Sequence, residues 1–109
     1  MEPSARNQDR SPVSQPKFDL GRIMLTAGIA DLLGEDQSPV TVLLARHQSG
    51  DWGEIDPEDW KGNDEALTIG NRLLSAYDTG FGGGPDPVRV YVITEWDRSV
   101  TTVLLPEEN

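Results

Sequence analysis

"VRVYVITEWDRSVTTVLLP" (88–106) decides how this chain folds. β-branched and aromatic residues fill it on both sides of one polar interruption, a composition suited to half-buried pleated backbone. "VRVYVITEW" (88–96) reads as one strand and "SVTTVLLP" (99–106) as the next. Only Asp97 and Arg98 separate them, the length of a tight hairpin connection. "RLLSAY" (72–77) is a further strand, joined to the first through "DTGFGGGPDP" (78–87), which reads as a flexible hairpin excursion. Together these runs predict a three-strand antiparallel meander.

Upstream the signals change to helix. "DPEDWKGNDEALTIGN" (56–71) starts with Asp56 as N-cap and Pro57 at the first helical position, followed by acids where the helix dipole favours them. Gly62 and Asn63 weaken its middle, which favours a break into two turns. "SPVTVLLARHQSG" (38–50) uses the same device with Ser38 and Pro39, and Gly50 closes it. Val40, Leu43, Leu44 and His47 fall at helical spacing there, placing His47 near the C-terminal end beside the buried stripe. The β-branched pair Val40 and Val42 leaves a strand open, but the capping signals favour helix. Before it, Thr26 caps a short helix, "AGIADLLG", ended by Gly34, and "FDLGRIMLT" (18–26) reads as a strand. The predicted class is α+β: an N-terminal strand, two or three short helices, then the meander, with helices on one face of the sheet.

Residues 1–17 are rich in Pro, Ser and polar side chains, so they are expected to form a disordered tail before a single domain spanning 18–109. Cysteine is absent, which excludes disulfides, a thiolate nucleophile and thiolate metal sites. A single histidine also excludes a multi-histidine site within one chain, leaving only an oxygen site for a hard cation. Neither a metal nor another cofactor is expected. No apolar run approaches the roughly 18 residues of a membrane helix, and no apolar signal region opens the chain, so the expected location is the cytoplasm.

Formal net charge is −10. Arg6, Arg10 and Lys17 against Glu2 and Asp9 give the tail +1, leaving −11 on the rest. Phosphate backbones repel such a body unless its few arginines converge, so nucleic acid is a poor expected partner. A protein with a basic surface is a better one.

Two polar concentrations stand out. In "ARHQSGDWGE" (45–54), Asp51 could orient His47 and raise its pKa, the usual preparation of a general base. The structural reading of the same residues is a helix end, with His47 and Trp52 sealing the edge of the core. Around the hairpin, Glu95, Asp97, Arg98, Thr101 and Thr102 surround a tight turn, where Arg98 could pair with Glu95 or hold an external anion. A small cationic site would result if His47, Arg72 and Arg98 met over the sheet. Two other patterns are rejected. "GFGGGPDP" leads into a strand without the helix or lysine of a phosphate loop. The acids Asp51, Glu54, Asp56, Glu58 and Asp59 lack the alternating ligand order of a calcium loop.

"KFDLGRIMLTAG", "LLARHQSGDWGE", "GNRLLSAY" and "VYVITEWDRSVTTVLLPEE", in that order, make the chain similar to a family of small bacterial proteins. These are carried on plasmids and integrated elements and known only as plasmid-related or hypothetical proteins. The resemblance covers nearly all of residues 17–108, and "DTGFGGGPDP" is longer than the corresponding hairpin there, which makes that loop peripheral. It implies a setting, mobile DNA, and no mechanism.

Two functions compete on these grounds. One is a non-enzymatic accessory module that binds a DNA-binding or defence protein through Asp51, Trp52, Glu54, Asp56, Glu58, Asp59, Glu95 and Arg98. The alternative is a small metal-independent ribonuclease of toxin-like architecture, a likeness at the level of fold alone. There His47 would be general acid or base, Arg72 or Arg98 would stabilise the developing charge, and Tyr77 would position substrate.

Overall fold

Residues 88–106 supply the two central strands of a four-stranded sheet in the computed structural model, which describes residues 15–109. Most of the expected N-terminal tail, residues 1–14, lies outside that description. In chain order the elements are β1 (Arg22–Leu25), α1 (Ala27–Leu33), α2 (Pro39–Gln48), α3 (Pro57–Ile69), β2 (Leu73–Thr79), β3 (Val88–Thr94) and β4 (Val100–Leu104). Strands β2, β3 and β4 form the expected antiparallel meander. To it β1 adds in parallel beside β4, giving a mixed α+β sheet in the order β1-β4-β3-β2.

Register decides which side chains meet. Ser75, Tyr77, Val90, Val92 and Val103 share one face with Leu25, because paired residues of adjacent strands point the same way. Against that face α1 and α2 bring Ile29, Val40 and Leu43, all buried. Fully burying a side chain of this size contributes about 1.5–3 kcal/mol, so these residues hold the layers together. Phe81, in a 3₁₀ turn (Phe81–Gly83), joins the same core. The glycine-rich excursion is therefore anchored at one point rather than free along its length.

Three local readings change. The N-terminal strand is short, because Gly21 adopts φ 66° and the Phe18 and Leu20 carbonyls accept side-chain bonds from Gln48 and Thr101. Lys17 is already tied to the domain, its N–H donating to the Gln48 carbonyl at 2.8 Å. The hairpin between β3 and β4 is longer than two residues: Arg98 sits at φ 60°, and Asp97 Oδ1 accepts from the Ser99 N–H and hydroxyl.

Caps also differ from expectation. Asp56 does cap α3, accepting from the Asp59 N–H at 3.2 Å. Ser38 is helical instead, and its N–H and hydroxyl donate to Asp36, holding that carboxyl below its ordinary pKa. Thr26 makes no side-chain cap either. Its hydroxyl donates to Glu108, whose carboxylate also accepts from the Gly28 and Leu105 N–H groups. A C-terminal carboxylate thus does the capping of α1.

Helix α3 runs unbroken through Gly62 and Asn63. The reason is Asn63 itself, which is buried and turned toward the edge of β2. Its amide donates to the Leu74 carbonyl at 2.7 Å and accepts from the Leu74 N–H at 3.2 Å. Further along the same edge, Ala76 donates to the Trp52 carbonyl at 3.1 Å and accepts from the Glu54 N–H at 2.6 Å. A side-chain amide and a three-residue stretch of backbone therefore seal this edge of the sheet.

Candidate functional site

His47 points inward from the last turn of α2 and is fully buried. Phe18 meets it edge-on at 5.2 Å between ring centroids and Trp52 at 5.5 Å. Both ring nitrogens are bonded: Nδ1 to the Ser75 hydroxyl at 2.6 Å and Nε2 to the Thr94 hydroxyl at 2.9 Å. Thr94 continues to Thr101 at 2.6 Å, and Thr101 donates to the Leu20 carbonyl at 2.7 Å.

That last bond fixes the protons of the whole chain. A carbonyl can only accept, so Thr101 spends its single proton on Leu20. Thr94 must then donate to Thr101 and accept from His47, which places the imidazole proton on Nε2. Nδ1 is left bare to accept from Ser75. Burial, followed by the positive charge of Arg98, lowers the imidazole pKa from 6.5 to about 3. His47 is neutral at physiological pH, with no nitrogen left to give or take a proton. Nitrogen-15 spectra of the ring are expected to show the Nε2–H tautomer unchanged between about pH 5 and 8. A ring titrating near its ordinary value would overturn the assignment.

Asp51 does not orient His47. It organises the turn that follows α2, taking the Arg46 Nε at 2.7 Å and the Gly53 N–H at 3.2 Å. Its carbonyl accepts from the Tyr77 hydroxyl at 2.6 Å. The Arg46 guanidinium lies 4.5 Å over the Tyr77 ring. Tyr77 is fully buried, and burial raises its pKa above the ordinary value. Trp52 is equally buried, its indole N–H donating to Asp64 at 3.0 Å and its ring stacked on Phe18 at 6.2 Å.

The three basic groups do not converge. Arg98 lies 5.7 Å from the Phe18 ring, which also packs on His47, and makes no bond to the imidazole. Its guanidinium donates to the carbonyls of Asn71 (2.6 Å), Glu95 (3.1 Å) and Ala66 (3.1 Å), tying the end of α3 to the hairpin. Arg72 pairs instead with the Glu95 carboxylate at 3.6 Å, beside an open cleft that Asp59, Asn63 and Leu74 also line.

Of the expected binding residues, Asp51, Trp52 and Arg98 are engaged internally and Glu95 is half-buried. Glu54, Asp56, Glu58 and Asp59 are exposed, in and just before the first turn of α3. Three of them crowd one another: a bond to Asp56, then the charges of Asp56 and Glu58, hold the Asp59 pKa above its ordinary value, whereas Glu54 lies near Arg46 and Arg89. Lys61 is the single cation within α3.

Ser75, Thr94, Thr101 and Asn63 lie outside the expected site residues. Polar residues at inward parity, as in "LSAY" and "VITE", are the signal that could have marked the first three. Among the described residues no helix is long and apolar enough to cross a membrane. Compared with known protein families, with curated proteins and with solved structures, the chain finds no match.

Proposed function

We propose that this chain is a non-enzymatic protein-binding module that engages a basic surface on a DNA-binding or defence protein through Glu54, Asp56, Glu58 and Asp59. The observation that carries the reading is the crowding of Asp56, Glu58 and Asp59 on an exposed helix start, where a cationic partner relieves mutual repulsion, with Glu54 exposed just before it. The mobile-element setting rests on the sequence resemblance in residues 17–108. The ribonuclease alternative draws no support from the geometry: His47 is enclosed and fully bonded, Tyr77 is buried, and Arg98 is spent on three carbonyls.

Capture from host lysate, followed by reconstitution with the purified captured protein, tests this reading. Glu54→Gln, Asp56→Asn, Glu58→Gln and Asp59→Asn together remove the charge, while an asparagine in place of Asp56 still caps the helix. Binding is expected to weaken about tenfold or more, chiefly in the rate of association at low salt. Undiminished binding, or cleavage of RNA by the wild-type protein, would sink the proposal.

A further inference from the structure

The two edges of the sheet are treated differently. Beside β2, a bridge at Gly53 and the Asn63 amide close the edge. Beside β1, no described residue pairs with the outer side. Arg22 donates to the Ser99 carbonyl and Thr26 to the Val103 carbonyl, so the even-numbered residues face β4. The N–H and C=O groups of Ile23 and Leu25 consequently point outward. Ile23 is 40% exposed and Met24 47%, and the strand "RIML" carries no proline, bulge or lysine to blunt it.

We propose that two copies of this chain pair antiparallel through β1 about a two-fold axis at Met24. In that register Ile23 lies opposite the partner's Leu25, with both exchanging backbone hydrogen bonds, and Met24 meets the partner's Met24 on the opposite face. Arg22 falls opposite the partner's Thr26. The hydroxyl of Thr26 holds the Glu108 carboxylate in each chain, so Arg22 is brought to a fixed anion of the other copy. No like charges face each other across the pair.

Charge does not oppose this edge. Residues 17–26 carry Lys17, Asp19 and Arg22, and with the Glu108 carboxylate held at Thr26 the four charges balance, in a chain of net charge −10. A four-residue strand on each side makes a small interface, which places the pair among weak, concentration-dependent associations. The product is a continuous eight-stranded sheet, with β2, α3 and the crowded carboxylates at its two far ends.

Sedimentation equilibrium of the full chain across a concentration series reaching about 1 mM, where even a weak interface fills, tests the proposal. The expected mass is twice the 12.0 kDa of one chain, falling toward one chain on dilution. Met24→Lys sets like charges together on the axis and is expected to give the single-chain mass. Ile23→Pro deletes one outward N–H without touching the bonds to β4, and keeps the test open if the lysine variant misfolds. Ile69→Lys, at another exposed apolar side chain, is expected to leave the dimer intact. Wild-type protein at the mass of one chain, or a dimer that survives a folded Met24→Lys or Ile23→Pro, overturns the proposal.

Discussion

Gly53→Ala is expected to cost the fold about 3 kcal/mol, although it adds a single methyl group. Position 53 sits at φ 82°, and a Cβ there would lie 2.1 Å from the Ala76 carbonyl oxygen and 2.6 Å from the Tyr77 ring. Neither neighbour can withdraw. The carbonyl is bonded to the Glu54 N–H, and the ring is clamped beneath Arg46 with its hydroxyl on Asp51. The predicted result is loss of the bridge that seals β2, read as a lower midpoint in urea unfolding. Gly62→Ala makes the same chemical change in α3, where nothing lies within 4 Å of the new Cβ. It is expected to stabilise by about 0.5–1 kcal/mol, since glycine disfavours a helix interior. Equal effects at the two positions would contradict this account of the turn.

The second large effect is on acid stability, and His47 sets its sign. The folded pKa, about 3, lies below the ordinary 6.5, so the unfolded chain binds the proton more readily. Stability from this group is complete above pH 6.5 and is lost as pH falls toward 3. Between pH 7 and 4 the loss amounts to about 3 kcal/mol. Asp36, Asp97 and Glu108, all held below their ordinary values by hydrogen bonds, lose stability in the same direction at lower pH. His47→Gln separates the two contributions, because it removes the imidazole and leaves the carboxylates. The variant is expected to be less stable at pH 7 by about 2 kcal/mol, having no equally good fit between the two hydroxyls. Its disadvantage should vanish and then reverse by about 1 kcal/mol as the pH drops to 4, because only the wild type has an imidazole to lose stability by. A gap that stays constant with pH would mean that His47 is not held neutral by the fold.

Local chemistry made most of the fold legible. Pro39 and Pro57 mark the starts of α2 and α3, and the β-branched runs locate β3 and β4. The bonds of Ser38 to Asp36 and of Ser99 to Asp97 are local misses, but those that shape the sheet and the site depend on contacts distant in sequence. Joining β1 in parallel to β4 pairs Arg22 with Val100, which no local pattern announces. Asn63 looked like a weak point of α3 because its partner, Leu74, lies on another element. At the candidate site, the spacing of Val40, Leu43 and His47 correctly placed the imidazole on the buried stripe. The residues it would bond were not foreseen. Asp51 is its neighbour in sequence, yet Arg46 claims that carboxylate, and the true partners come from strands 28 and 47 residues away.

The hydroxyl chain from Ser75 through His47, Thr94 and Thr101 to Leu20 also acts as a checksum on assembly. Side chains alternate across a strand, so sliding β3 by one residue would put Ile93 or Glu95 where Thr94 belongs. Mispaired sheets of that kind could still bury valines, since "VYVITE" and "VTTVLL" are apolar on both faces. They would strand a bare imidazole nitrogen and up to three hydroxyls in a dry interior, at about 1–3 kcal/mol for each group left without a partner. Greasy contacts alone would accept several alignments. Four polar side chains, each with one place to send its proton, accept one.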